Sequence, residues 1–283
     1  MNRLPPIEKI KVNGQLISCM FQKGEKESIV FIHGLGASKG NFLEAFKRRK
    51  LQSYTMLAAD LVGFGDSDKP ANFSYKMEDQ ARILRGVIDL LGLNRFHLVA
   101  HSMGGIIGIE LGEMIPHSVC SFINAEGNIT AEDCTMSKQI ADMNEKYFAL
   151  KGFEQLKHSI AEESERNQDK ALREYLNSLS KATPKSLYKS SISTVRESNF
   201  GDLLARFTQL PFYKCYIYGE RNKDVFPAEK MLEKKGIPLF YISNSGHSMM
   251  KENPDEFYNL ILSIIRREAS LDTKNMYSKT TNH

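Results

Sequence analysis

Ser102, His247 and two carboxylate residues, Glu126 and Asp224, stand in settings that could support attack on a carbonyl carbon. A serine hydroxyl is a poor nucleophile at neutral pH. It needs a base to take its proton, a group to orient that base, and donors to hold the oxyanion that forms. Ser102 lies in Ala100-His101-Ser102-Met103-Gly104, with a small residue two positions to either side. That spacing suits a sharp strand-to-helix turn in which the serine backbone is strained and bulkier neighbours would collide across the bend. Glycine is usual at both flanking positions; Ala100 departs from the pattern but is small enough to fit. His247 follows Ser245-Gly246, in a turn after the last strand-like run, and is the natural base. The other histidines have humbler readings. His101 is a spacer of the elbow, His33 fixes its own loop by hydrogen bonding, and His97 belongs to a strand.

The elements that must position these groups follow from patterning. Residues 7–22 alternate apolar and polar about Asn13-Gly14, the signature of a hairpin. Continuous apolar runs at 28–32, 55–59, 96–100, 119–125 and 212–218, with a shorter one at 239–242, have the character of strands buried on both faces of a parallel sheet. Helices are expected near 39–50, 76–91, directly after Ser102, at 228–235, and from Asn253-Pro254 to about residue 267. Strands alternating with helices imply right-handed crossovers and a doubly wound, mostly parallel α/β sheet that binds ligands at the carboxyl ends of its strands. His33-Gly34, Ser102 and Glu126 all fall at such ends.

Between residues 129 and 208 the strand-like runs give way to polar, Lys- and Glu-rich helical segments, too long a stretch for a plain loop. We read 1–128 and 209–268 as the core, 129–208 as an inserted helical cap, and 269–283 as a polar tail. Met136, Ile140, Met143, Tyr147, Phe148 and Phe153 are candidates either to line a pocket beneath the cap or to form its own core.

Composition narrows the function classes. The 283 residues are 41% hydrophobic, enough for one large core with a cap. A formal charge of +4 without a dense basic tract excludes nucleic acid as a natural partner, and Lys47-Arg48-Arg49-Lys50 reads as the solvated end of a helix. No segment has the apolar length of a signal peptide core or membrane span, which implies a cytoplasmic protein. Four scattered cysteines without a Cys-x-x-Cys pair imply reduced thiols, neither a zinc site nor a disulfide framework.

The order of these parts resembles the capped serine hydrolases of the α/β-hydrolase superfamily: His33-Gly34-Leu35-Gly36, then Asp60-Leu61-Val62-Gly63-Phe64-Gly65-Asp66-Ser67, the elbow, the cap and Ser245-Gly246-His247. The resemblance covers nearly all of the chain except the tail. It implies an oxyanion hole made by the Leu35 and Met103 amides. It leaves the orienting acid between two places. Most members carry the acid after the strand that follows the cap, usually as Gly-x-x-Asp; here the third residue after Gly219 is Asn222, and Asp224 comes two residues late. A smaller group, including some haloalkane dehalogenases, places it after the strand that precedes the cap, where Glu126 stands. Glu126 is preferred, with Asp224 the alternative. Dehalogenases and epoxide hydrolases of this fold use an aspartate nucleophile, so Ser102 argues against both. The expected reaction is hydrolysis of a small to medium ester or lactone through an acyl-enzyme, by a monomer or homodimer with no cofactor and no metal. Carbon–carbon bond hydrolysis of a diketone-type substrate and a receptor role with little turnover are the alternatives.

Overall fold

The computed structural model describes residues 5–280, with side-chain surroundings as far as residue 268. Residues 1–4 and 281–283, on which parts of the leader and tail expectations fall, lie outside the described residues. The chain opens with the expected hairpin, β1 (Ile7–Val12) and β2 (Gln15–Gln22). Its turn residues Asn13 and Gly14 both have positive φ, 48° and 84°, as a two-residue turn matched to strand twist requires. There follow β3 (Lys26–Ile32), α1 (Leu43–Lys47), β4 (Tyr54–Ala59), α2 (Met77–Leu90), β5 (Phe96–His101), α3 (Met103–Met114) and β6 (Val119–Ala125).

From β6 to the next strand only helices and turns occur among the described residues: α4 (Thr135–Ala141), α5 (Glu145–Tyr147), α6 (Phe153–Arg166), α7 (Lys170–Leu179), α8 (Pro184–Phe200) and α9 (Leu203–Gln209). A π-helical turn, Phe148–Gly152, joins α5 to α6. The chain then resumes with β7 (Tyr213–Gly219), α10 (Pro227–Lys234), β8 (Leu239–Ile242), α11 (Met249–Glu252) and α12 (Pro254–Thr280).

The strands form one sheet in the order β1-β2-β4-β3-β5-β6-β7-β8, antiparallel only at β1-β2 and β2-β4. Its central strands are buried on both faces because their apolar residues alternate between two cores. Leu98 and Ala100 of β5 join Ile106, Ile107 and Phe122 on one side. Val99 joins Phe31, Phe42 and Phe257 on the other. A continuous apolar run is the sequence form of that two-sided burial.

Two expected helices differ in extent. The segment after His33-Gly34 is a 3-10 turn, Lys39–Phe42, before α1, because the Lys39 N–H and amine are both held by the buried Asp60 carboxylate at 2.7 and 2.6 Å. The last helix runs beyond residue 267 to Thr280, so the expected tail is helical over most of its length.

Candidate active site

The elbow is formed where β5 ends and α3 begins. Ser102 has φ 55° and ψ −128°, a strained conformation for a residue with a side chain. The turn is secured by Ser102 N–H donating to Ala125 O (3.2 Å) and by Gly105 and Asn128 N–H donating to Ser102 O (2.7 and 3.3 Å). A side chain at 104 is excluded by backbone: a Cβ there would sit 2.6 Å from Ile32 O and 2.8 Å from His33 O. Ala100 is fully buried and needs no such allowance. Met103 is the first residue of α3, so its N–H belongs to the unpaired donors at a helix N-terminus.

His247 and Glu126 meet at the carboxyl ends of the sheet. His247 Nδ1 lies 2.7 Å from Glu126 Oε2. With a carboxylate at that nitrogen, Nδ1 carries the hydrogen and Nε2 is left as the basic lone pair. Glu126, in a left-handed conformation (φ 43°), has a side chain only 4% exposed. A carboxylate so buried needs its oxygens satisfied. Gly219 N–H donates to Oε1 at 2.7 Å, and Asn222 Nδ2 reaches Oε1 and Oε2 at 3.0 and 2.8 Å. The His247 loop is itself held from two sides. His101 Nε2 donates to His247 O at 2.8 Å, and the Glu252 carboxylate accepts from the N–H groups of Gly246 and Ser248. The Ser102 hydroxyl makes no hydrogen bond among the described residues, although it lines the same cavity as His247. Contacts between nucleophile and base commonly tighten only when substrate is bound.

Leu35 follows the end of β3. His33, fully buried, directs Nδ1 at Gly34 O (2.8 Å) and accepts Leu61 N–H on Nε2 (3.0 Å), so it ties this loop to the segment after β4. Ala37 N–H also donates to Gly34 O, at 3.2 Å. The peptide is trans and planar, so a carbonyl anchored on one side aims the Leu35 N–H to the other. Neither the Leu35 nor the Met103 N–H donates to any acceptor among the described residues. These residues line a cavity of about 390 Å³, together with Ser102, His247, Glu126 and residues of the helical insertion such as Met136, Leu172 and Tyr175. Its size is that of a site for a small molecule.

The sequence profile of the alpha/beta hydrolase fold family matches residues 27–253. The chain belongs to that family. Among curated relatives, Lipase 1 of Psychrobacter immobilis is 25% identical over 244 residues, covering 81% of this chain and 74% of the lipase. BODYGUARD 4 of Arabidopsis thaliana is 41% identical over 87 residues, but that stretch is 30% of this chain and 21% of the plant protein. Among solved structures, the N-acyl homoserine lactonase AidH, crystallised as a mutant with N-hexanoyl homoserine lactone, superposes with a TM-score of 0.75 at 18% identity, over 94% of this chain and 99% of that one. At that identity the likeness concerns the fold. The family match and the lipase place this chain among hydrolases of the esterase and lipase type.

In this hydrolase the two carboxylate residues singled out from the sequence are sharply separated. Glu126 is in the cavity and bonded to His247. Asp224 is exposed, outside the cavity lining, and its N–H donates to Glu229 at 2.6 Å. His97 lies at the opposite end of its strand, bonded to Ser121 (2.8 Å) and Glu27 (3.2 Å). Of the insertion residues considered for the pocket, only Met136 lines it. Ile140, Phe148 and Phe153 are buried in packing, Met143 is packed against that core, and Tyr147 is exposed, because the rows at helical spacing face neighbouring helices.

Two residues named from the sequence have roles that it did not assign. Asn222 occupies the position where most of the family carries the acid, and an amide there donates to the carboxylate that stands elsewhere. The Asn at Gly-x-x-Asn was the available signal. His101 does more than space the elbow, since it anchors the His247 carbonyl; nothing in the sequence places the two together.

The surroundings of His247 set a pH dependence. The His247 side chain is 52% exposed, and the part of its solvation that the surrounding protein removes works against its charge. The hydrogen bond and charge of Glu126 outweigh this, with Glu252 and Asp133 adding, and hold the pKa above its ordinary 6.5. Burial and the neighbouring His247 push His101 well below that value, so His101 stays neutral. A base is useful only when unprotonated. Hydrolytic kcat/KM is therefore expected to fall as pH drops through a single pKa above 6.5. A profile flat through that region, measured in buffers of constant ionic strength, would remove His247 from the role of base.

Proposed function

We propose that this protein is a serine hydrolase that cleaves small to medium esters or lactones through an acyl-enzyme. The observation that carries this reading is Ser102 on its strained elbow at a helix N-terminus, sharing one cavity with a histidine whose Nδ1 is held 2.7 Å from the buried Glu126 carboxylate.

Ser102 Oγ attacks the carbonyl while His247 Nε2 takes its proton. Glu126 fixes the tautomer and stabilises the imidazolium. The Leu35 and Met103 N–H groups hold the oxyanion, aided by the positive end of α3. His247 then gives the proton to the leaving alkoxide. A water, deprotonated by the same ring, releases the acyl group and restores Ser102. The helical insertion serves as a cap whose Met136, Ala171 and Leu172 give the cavity an apolar wall, suited to an aliphatic acyl chain. The lipase relative and the lactonase of like fold carry out reactions of this class by their names.

The reading is tested by rapid mixing with p-nitrophenyl butyrate and intact-mass analysis of acid-quenched enzyme. A burst of nitrophenolate with a butyryl adduct mapped to Ser102 is expected. Binding of the ester without turnover or adduct would point instead to a receptor.

A further inference from the structure

The helical insertion meets the Leu35 loop along α7 and the turn after it. Glu174 pairs with Lys251 at 2.7 Å, and Lys251 also donates to Gly40 O at 2.9 Å. Tyr175 Oη lies 3.1 Å from Leu35 O and 3.3 Å from Met136 Sδ, and its single hydrogen goes to the carbonyl, the stronger acceptor of the two. Ser178 Oγ lies 3.1 Å from Ser38 Oγ, and Lys181 pairs with Asp66 at 2.8 Å. Tyr175 and Ser178 thus dock α7 directly on the loop that follows β3, Glu174 reaches the turn beyond it through Lys251, and Lys181, just past α7, ties the insertion to the loop after β4.

The Tyr175 contact differs from the rest in what it holds. Two donors of the core, His33 and Ala37, anchor the carbonyl of Gly34, which lies in the same peptide plane as the Leu35 N–H. The next carbonyl, that of Leu35, has one donor among the described residues, and it comes from α7. The tyrosine sits where a side chain at residue 36 would be. A Cβ on Gly36 would lie 2.6 Å from its hydroxyl, and Gly36 has φ 69°, a conformation that glycine adopts at little cost. The close approach is therefore built in from both sides.

We propose that Tyr175 is a positioning residue for the oxyanion hole. By holding the Leu35 carbonyl it locks the two peptide planes that meet at the Leu35 α-carbon, and so keeps the Leu35 N–H aimed where negative charge develops. Docking of α7 and completion of the hole are then one event. The inference rests on the acyl-transfer reading of Ser102 given above.

The test compares the wild type with Tyr175→Phe, which keeps the ring and removes the hydroxyl, and with Glu174→Gln/Ser178→Ala, which weakens docking without touching Tyr175. Two readouts are used: steady-state hydrolysis of esters differing in acyl length and leaving group, and the rate at which a fluorophosphonate labels Ser102. Tyr175→Phe is expected to lower kcat and the labelling rate by about 10- to 100-fold. KM should stay within about twofold and the loss should be alike for every ester, because the defect lies in the developing oxyanion and not in the substrate. The double variant should show the same signature in weaker form, and it decides the matter if circular dichroism shows that Tyr175→Phe is misfolded. Failure of the fluorophosphonate to label wild-type Ser102 overturns the acyl-transfer reading, and the present inference with it. Labelling of the wild type, with unchanged kcat in the variants or a loss confined to KM or to one ester, overturns the role of Tyr175 alone.

Discussion

Replacing Ser102 with alanine is expected to lower kcat for ester hydrolysis by about 10⁴- to 10⁶-fold, with KM little changed and the fold intact. The hydroxyl makes no hydrogen bond among the described residues, so its loss leaves no buried partner unsatisfied. The strained backbone at φ 55° also tolerates alanine no worse than serine, since both carry a Cβ. Thermal unfolding should therefore coincide for the two proteins. A residual rate would come from the Leu35 and Met103 donors acting on an attacking water. Steady-state assay of the two proteins purified side by side checks this. Retention of more than a tenth of the wild-type kcat would place the nucleophile elsewhere.

Glu126→Gln is expected to cost at least about 100-fold, and toward 10⁴-fold, in kcat. Two effects combine. A neutral amide does not stabilise the imidazolium, and if its NH2 group donates to His247 Nδ1 the ring is held in the wrong tautomer, with the proton on the histidine Nε2. The amide also faces Gly219 N–H and Asn222 Nδ2, both donors, so one of its ends meets another donor whichever way it turns. The acid limb of whatever activity remains should move to lower pH, because the carboxylate that holds the His247 pKa up is gone. Asp224→Asn should leave kcat/KM within about twofold, since that side chain is exposed and outside the cavity. A kcat/KM pH profile on all three proteins measures both statements. If Asp224→Asn were the damaging change and Glu126→Gln the silent one, the acid would have to be assigned anew.

The sheet, the strained turn at Ser102 and the turn that carries His247, proposed here as nucleophile and base, were legible because each is a local matter. A buried parallel strand is a continuous apolar run, and the bend at Ser102 shows itself in Ala100 and Gly104, within five residues of chain. The turn histidine follows the last strand in the same local way. The long strand-free interval after β6 announced an insertion without revealing which of its faces look inward. That depends on which helix packs on which, so Met136 reached the cavity while Ile140 and Phe148 went to core.

The remaining decisions belong to contacts between distant residues. Glu126 and His247 are 121 positions apart, and Asn222 approaches Glu126 across the β6–β7 pairing; only parallel register brings their loops to one edge of the sheet. Sequence position alone left Glu126 and Asp224 both open, because each follows a strand end. The structure separates them through solvation, one carboxylate being enclosed among donors and the other facing water. Tyr175 on Leu35, 140 residues away, is of the same kind. The amino-acid sequence by itself determined what chemistry the elbow and the histidine could do. Tertiary packing decided which groups orient that chemistry, since a hydrogen bond between remote loops depends on the register and docking of the elements beneath them and leaves no mark on the local pattern of either loop.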